Sequence, residues 1–202
     1  ITAELTAEQI DFEPLKTAKW LYIEGYLSTS DTARIAVKQA RELAKAHGVK
    51  IALSLSDPAM VQYARQGLEE LLDDGVDLLF CNEQEALMFT NTENLDDAIA
   101  ALKLNNQHIV ITQGANGATI IEPKQQFHVA GRHVAAVDTN GAGDAFAGVF
   151  LYAINAGLSL EAAAQLAILI SSEVVAQFGP RLAVENYAKL FEQFKSTQQE
   201  CA

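Results

Sequence analysis

The feature that most constrains the fold is a regular alternation of short apolar runs with longer amphipathic segments. Four runs have the length of a strand, at residues 21–26, 50–56, 76–81 and 108–113. The segments between them carry apolar residues at helical spacing, as in residues 31–47, where Gly48 is expected to end the helix. This order predicts βαβ units around a mainly parallel sheet, because helices then cover both faces of the strands.

The pattern changes after residue 113. GATIIEP, QQFHVAG and RHVAAVD are short, closely spaced runs joined by turn residues, which favours an antiparallel edge of hairpins. Three helices are expected to close the chain, beginning near Gly143, Ser159 and Ala183. The predicted fold class is therefore α/β, a three-layer sandwich with a mainly parallel sheet and an antiparallel edge. Such sheets bind ligands in the loops that follow the carboxyl ends of their strands.

Length and charge narrow the class of protein. With 202 residues, half of them apolar, the chain suits a single α/β domain over residues 1–202. The net charge of −12 argues against nucleic acid and anionic membranes as partners, because both require clustered Lys and Arg. No apolar run is long enough to span a membrane. Cys81 and Cys201 match no metal-ligand spacing, so free thiols and a cytoplasmic location are expected.

The stretch DTNGAGD joins a glycine turn to an apolar helix. Gly141, Ala142 and Gly143 have almost no side chain, so their N–H groups can converge on an anion at the helix N-terminus. Asp144 stands beside them, where a carboxylate can take a proton from a hydroxyl while the amides neutralise a transferred phosphoryl group. The alternative is purely structural, with Asp138 and Asp144 as helix caps and the glycines as turn residues.

Two further loops follow predicted strands. In ITQGANGA, Thr112 offers a hydroxyl, and Gly114 and Gly117 permit close backbone approach to a phosphate or nucleotide; the alternative is a tight turn into the hairpin. In CNEQEA, Asn82 and Glu85 lie three apart at a helix start, so their oxygens suit Mg²⁺ held through waters. The alternative there is a capping box, which the local pattern favours. Together the three loops predict a nucleotide-phosphate site, a metal site and a base.

These motifs resemble those of a known family. DTNGAGDAFAGVF resembles the C-terminal signature of the ribokinase-like (PfkB) carbohydrate and nucleoside kinases, NEQE resembles that family's N-x-x-E metal motif, and TQGANGA resembles its nucleotide loop. The resemblance runs in order over nearly the whole chain. IEGYLST, ALSLSDP and AQFGPRL look most like the adenosine-kinase-like branch. Ile168 stands where family members often carry an Asn near the adenine, so the resemblance assigns no base contact there.

The resemblance implies an ATP-dependent kinase that transfers the γ-phosphoryl group to a hydroxymethyl group of a sugar or nucleoside. It implies that Asp144 is the catalytic base and that Gly141, Ala142 and Gly143 form the anion hole. Asp138 would position the anion hole or a monovalent cation, or would serve the structure alone.

The same resemblance implies the cofactor sites. ATP would be bordered by Thr112, Gly114 and Gly117, and Mg²⁺ with its waters would be ordered by Asn82 and Glu85. A small-molecule sugar or nucleoside is the expected partner.

Family members are longer, and by this resemblance the chain corresponds to their C-terminal portion. The N-terminal strands and the lid that closes on the acceptor are expected to be absent. We expect the chain to be one piece of a longer kinase that associates with that N-terminal portion, and a homodimer is a further expectation. A parallel strand near residues 21–24 would then be exposed as a sheet edge.

Two other functions fit parts of the pattern. A non-catalytic nucleotide- or sugar-binding domain of the same fold would keep the glycine loops, but it does not need Asp144 or the pair of Asn82 and Glu85 in order to fold. A dinucleotide-binding oxidoreductase would place its glycine fingerprint after the first strand, whereas the glycine loops here come late. The kinase is therefore the function that the sequence predicts.

Overall fold

The computed structural model describes residues 5–200, with the side chains of residues 5–196. The chain divides into two compact units. The first is Ile1–Ile111 with Ile121–Gln126, and the second is Thr112–Ile120 with Phe127–Ala202. Cys201 lies outside the described residues. The expectation of a single domain over the whole chain stays a prediction.

The first unit alternates strands with helices, as the sequence predicts. Its elements are β1 (Trp20–Glu24), α1 (Asp31–His47), β2 (Lys50–Ser54), α2 (Pro58–Tyr63), α3 (Arg65–Leu72), β3 (Leu78–Asn82), α4 (Glu83–Thr90), α5 (Leu95–Leu102) and β4 (His108–Thr112). β1 pairs in parallel with β2, and β2 pairs in parallel with β3. The strand order is β1-β2-β3-β4, so β1 lies at one end of that order. The α/β fold class is confirmed.

Side chains at the helix starts determine where helices of the first unit begin. Ser30 Oγ accepts a hydrogen bond from Ala33 N (3.3 Å) at the start of α1, and Asp57 Oδ1 accepts one from Ala59 N (2.7 Å) at the start of α2. Each bond satisfies an N–H group that the first helical turn leaves without an intrahelical partner. Gly48 ends α1 in the left-handed conformation, as predicted.

The middle strands of the first unit are buried. Four of the five residues of β3 and three of the five residues of β4 are buried, as expected for parallel strands covered on both faces. In β1, only Ile23 is buried. Cys81, near the end of β3, is buried and is in no disulfide within the described residues. The loop that follows β3 therefore starts from a well-packed strand.

The second unit contains a hairpin and three helices. Its elements are β5 (Gly117–Ile121), β6 (Gln126–Ala130), α6 (Ala142–Asn155), α7 (Leu160–Val175) and α8 (Val184–Glu200). Gly131 N donates to the carbonyl oxygen of Asn116 (3.2 Å) at the open end of the hairpin, which confirms the predicted antiparallel pair. Within the described residues, no helix has both the length and the apolar character needed to cross a membrane.

The prediction that residues 132–138 extend the hairpin edge is wrong. This segment forms no strand in the described structure. The N–H groups of Val137 and Asp138 both donate to the carbonyl oxygen of Val175 at the end of α7 (2.9 and 3.2 Å). A carbonyl group in the last helical turn lacks an intrahelical partner, so the segment satisfies a helix end instead of a sheet ladder. The glycine loop that follows is thereby anchored to α7.

A buried arginine holds the turn that leads into β3. Arg41 on α1 is only 3% exposed. Its Nη2 atom donates to the carbonyl oxygens of Leu72 and Gly75 (both 3.0 Å) and to Asp74 Oδ1 (3.2 Å). Burial lowers the pKa of Arg41, while the carboxylates of Asp73 and Asp74 oppose that shift. Because Leu72 ends α3, the arginine satisfies a helix C-terminus and fixes the entry to the next strand.

Arg41→Ala is expected to lower the free energy of unfolding by about 3 kcal/mol, because carbonyl groups lose a buried charged donor. Lys45→Ala is the matched control, since Lys45 binds the same Asp74 carboxylate (2.7 Å) from an exposed position. The control should cost about 0.5 kcal/mol. Urea unfolding followed by circular dichroism measures both values, and equal losses would contradict the role given to Arg41.

Candidate functional site

The N-terminus of α6 is left without a side-chain cap. Gly141 is its N-cap residue, at φ 75°, and no side chain caps the helix. Serine, aspartate or asparagine side chains cap α1, α2, α4, α5 and α7. The N–H groups of Gly143 and Asp144 have no acceptor among the described residues. These donors lie at the positive end of the helix dipole, so the first turn is suited to an anion.

Only glycine fits at the start of this helix. A Cβ atom on Gly141 would lie 2.5 Å from Pro180 Cβ and 2.6 Å from Pro180 O, and φ is in the left-handed region. Asp138 holds the same loop from the other side: its Oδ1 atom accepts from Asn140 N (3.0 Å), and its Oδ2 atom accepts from Gly179 N (3.1 Å). The bond from Asn140, followed by that from Gly179, lowers the pKa of Asp138. Asp138 thus joins the glycine loop to the turn at residues 179–180.

A cavity of about 330 Å³ in the second unit brings both glycine loops together. Five of the residues predicted to bind the nucleotide or the phosphate line it, namely Thr112, Gly114, Gly117, Ala142 and Gly143. Gly141 is not part of the lining, because it packs against Pro180. Asp144 is exposed in the first turn of α6, immediately after two lining residues. The arrangement places anion-binding amides and a carboxylate side by side in one helical turn.

Of the other walls of this cavity, sequence reasoning identified only Ile168, through the family resemblance. One wall is a face of α7, formed by Ile168, Ser171, Ser172 and Val175. Another is the irregular segment after β6, where the alternate residues Arg132, Val134 and Ala136 line the cavity. The spacing of three, four and seven residues along α7 is a detectable signal, but it is also the pattern of an ordinary core-facing helix.

Asn82 and Glu85 form the capping box that the local pattern favours. Asn82 Oδ1 accepts from Glu85 N (2.8 Å), and Asn82 N donates to Glu85 Oε2 (2.9 Å). A third bond runs from Asn82 Nδ2 to Glu85 Oε1 (2.7 Å). The two side chains therefore stabilise the start of α4 in the first unit.

Glu85 is nevertheless an unusual capping residue, because it is buried. It is 4% exposed, and burial raises its pKa to about 7, with the Asp57 carboxylate adding to the rise and the hydrogen bond from Asn82 N opposing it. A nearby cation would stabilise the ionised form of this buried carboxylate. No group of three or more His, Cys, Asp or Glu side chains in the described residues could hold a metal. The pair fits Mg²⁺ held through its waters rather than an all-protein cage.

Gly141→Ala is expected to lower the free energy of unfolding by about 2 kcal/mol or more, because the methyl group would clash with Pro180 and the left-handed backbone would be strained. Gly148→Ala is the control within the same helix. A Cβ atom there would meet nothing within 4 Å, so alanine should raise the free energy of unfolding by roughly 0.5–1 kcal/mol. Chemical unfolding measures both, and a neutral Gly141→Ala variant would contradict the packing described.

Glu85→Gln is expected to change how stability depends on pH. The raised pKa means that the proton on Glu85 stabilises the fold fully below pH 4.5, and that this contribution is lost as pH rises through about 7. Across that range the wild type should lose about 3 kcal/mol that the variant does not lose. Unfolding free energies from pH 4 to 8, in buffer free of divalent cations, measure the difference. Parallel curves for the two proteins would contradict the burial effect.

The chain resembles kinases of known structure. It is 33% identical to the adenosine kinase from Sinorhizobium meliloti, with a TM-score of 0.89, covering 95% of this chain and 59% of that one. It is 25% identical to a putative ribokinase II from E. coli solved in complex with ATP and Mg²⁺, with a TM-score of 0.84, covering 94% of this chain and 64% of that one. An adenosine kinase from Schizophyllum commune is 27% identical over 200 residues, covering 90% of this chain and 56% of that protein.

The chain spans about half the length, or less, of the first curated relatives that it matches. The model of the family described as "pfkB family carbohydrate kinase" matches residues 2–186. That match covers most of the sequence, including the three loops whose motifs resemble those of the family. With one-third identity to a solved kinase over nearly the whole chain, it shows that this chain belongs to the pfkB family of carbohydrate kinases.

Proposed function

We propose that this chain carries the phosphoryl-transfer part of an ATP-dependent kinase whose acceptor is a hydroxymethyl group of a sugar or nucleoside. One observation carries the proposal: an uncapped helix start, with Asp144 exposed in its first turn, adjoins a cavity lined by both glycine loops. Five other helices of the described residues begin with a side-chain cap. The start of α3 has none, but α3 follows α2 after the single residue Ala64.

In this proposal, Gly141, Ala142 and Gly143 form an anion hole for the phosphoryl group. Gly143 N, like the neighbouring Asp144 N, has no acceptor among the described residues, whereas Ala142 N donates to the carbonyl oxygen of Thr139 (3.3 Å) and would have to exchange that bond for a ligand. Amides held at a helix start can neutralise charge that spreads over the equatorial oxygens. Asp144 takes the proton from the acceptor hydroxyl as its oxygen attacks the γ-phosphorus of ATP, and the bond from that phosphorus to the β,γ-bridging oxygen breaks to release ADP. The exposure of Asp144 supports this role, because a base must be reached by the alcohol it deprotonates.

ATP would lie against Thr112, Gly114 and Gly117 in the same cavity, where the glycines allow the backbone to approach the phosphates. Mg²⁺, when bound, neutralises phosphate charge, and Asn82 and Glu85 would hold its waters. The ionised Glu85 carboxylate has lone pairs left after it accepts two hydrogen bonds from Asn82. A monovalent cation beside Asp138 belongs to the proposal as well.

The named relatives support the class of acceptor. They include adenosine kinases, fructokinases and a ribokinase, all of which by name phosphorylate a nucleoside or a sugar. Association with an N-terminal portion that completes the acceptor site, a homodimer and a cytoplasmic location stay predictions. The non-catalytic binding domain is the second candidate function. A measurement of turnover distinguishes it from the kinase.

Asp144→Asn is expected to lower kcat by two to four orders of magnitude while leaving ATP affinity nearly unchanged, which is the usual effect of removing a general base. Asp96→Asn is the matched control, because Asp96 is an exposed carboxylate in the first turn of α5, a helix with a side-chain cap. It should retain wild-type turnover. An ADP-release assay on the full-length protein measures both, and undiminished turnover in Asp144→Asn would remove this residue from the mechanism.

The assay should present adenosine, inosine, ribose, fructose and fructose phosphates as acceptors. Calorimetric titration with ATP, with and without Mg²⁺, gives binding independently of turnover. Binding of ATP without phosphorylation of any acceptor would favour the non-catalytic domain over the kinase.

A further inference from the structure

The cavity in the second unit has two chemically different parts. The glycine loops and the start of α6 supply backbone donors for phosphates. The rest of the lining is mainly apolar, with Val134, Ala136, Ile168 and Val175 among its residues. A nucleoside triphosphate has the same division into a charged tail and a flat, largely apolar base. If the tail binds the amides, the base therefore occupies the apolar part.

Few side chains in the apolar part of the cavity could form hydrogen bonds with the edge of a base. Ser171 Oγ donates to the carbonyl oxygen of Ile168 (3.4 Å), and Ser172 Oγ donates to that of Leu169 (2.8 Å), so both hydroxyl protons are directed at the helix itself. No Asn, Gln, Asp or Glu is among the lining residues. The lining thus has no side-chain amide, the group that can both accept from the amino group of adenine and donate to its N7 atom.

Arg132 is the one charged residue of the lining. Its guanidinium group carries donors and no acceptor. Its ion pair with Glu173 on α7 is long, 3.9 Å from Nη2 to Oε1, and its side chain is 45% exposed, so the group can turn toward a ligand. Adenine presents an acceptor and a donor side by side, whereas guanine and hypoxanthine present two acceptors, O6 and N7, which match a guanidinium group bidentately.

We propose that Arg132 sets the base preference of the phosphate donor, so that purine nucleotides with a carbonyl at C6, such as GTP and ITP, are used as well as ATP. This inference rests on the proposed kinase function, because it concerns the nucleotide bound at the same cavity. The base is selected by donors from Arg132 and by apolar contact, and the lining has no side-chain amide or carboxylate to favour the amino group of adenine.

The test compares ATP, GTP and ITP with the full-length protein. ITP is the sharpest probe, since it has the carbonyl of guanine without the extra amino group. We expect kcat/KM for ITP and GTP within tenfold of the value for ATP, or above it. Arg132→Gln should move the ITP-to-ATP ratio toward ATP by roughly tenfold, because a side-chain amide pairs with adenine N6 and N7. A wild-type preference for ATP above tenfold would overturn the inference.

Glu173→Gln is the control for an effect of the ion pair alone. It removes the partner of Arg132 but leaves the guanidinium group in place, so the nucleotide ratio should stay within twofold of the wild type. A ratio that moves equally in both variants, or that Arg132→Gln leaves unmoved, would assign Arg132 a structural role and overturn the inference.

The affinities for non-hydrolysable ATP and GTP analogues measure the nucleotide preference independently of phosphoryl transfer. A protein that binds both analogues equally and phosphorylates nothing would contradict the proposed function and support the base preference. Exclusive turnover with ATP would support the kinase and overturn the base preference, and failure to bind either analogue would overturn both.

Discussion

The candidate site depends on one close contact, that between Gly141 and Pro180. The two residues approach so closely that no side chain fits between them, and the glycine adopts a backbone conformation that other residues rarely take. This contact lets α6 begin without a side-chain cap, so the N–H groups of Gly143 and Asp144 remain available. Asp138 supports the same geometry by accepting bonds from both sides of the contact. The uncapped turn is therefore built by close packing around a glycine in the left-handed conformation in the second unit.

In the first unit, the pair of Asn82 and Glu85 has a local structural role, but it also buries a carboxylate at a cost in free energy. The capping box stabilises the start of α4, but burial of the Glu85 carboxylate raises its pKa and makes its ionised form unfavourable. A side chain that served only as a cap could be exposed, as Asp97 is at the start of α5, where it accepts a bond from Asn94. The burial of Glu85 is thus the observation that separates this pair from an ordinary cap.

Much of the fold can be predicted from local sequence patterns. The errors of that prediction come from contacts between residues that are distant in sequence. The strands and helix caps of the first unit are readable because their causes lie within a few residues, as with Asp57 and Pro58. The break between α2 and α3 was not predicted, and Arg65, just after it, donates to the carbonyl oxygens of Met88 and Phe89 in α4. The segment after β6 was mispredicted because its partner, Val175, is about forty residues away. In the candidate site, the glycine motifs identified residues that line the cavity, whereas the spacing along the α7 wall is also that of an ordinary core-facing helix.

The charge of the chain limits how a nucleotide can bind to it. A protein with a net charge of −12 repels a polyanion at long range, and that repulsion is screened beyond about 8 Å at physiological ionic strength. In the proposed kinase, attraction to the phosphates must then come from groups in direct contact with them, such as the N–H groups of Gly143 and Asp144 at the start of α6. Such contacts depend on the shape of the loops and only weakly on bulk salt, unlike the distributed basic surfaces that bind nucleic acids. In the proposed kinase, selectivity for a small phosphorylated ligand would follow, because only a ligand that enters the cavity reaches the donors.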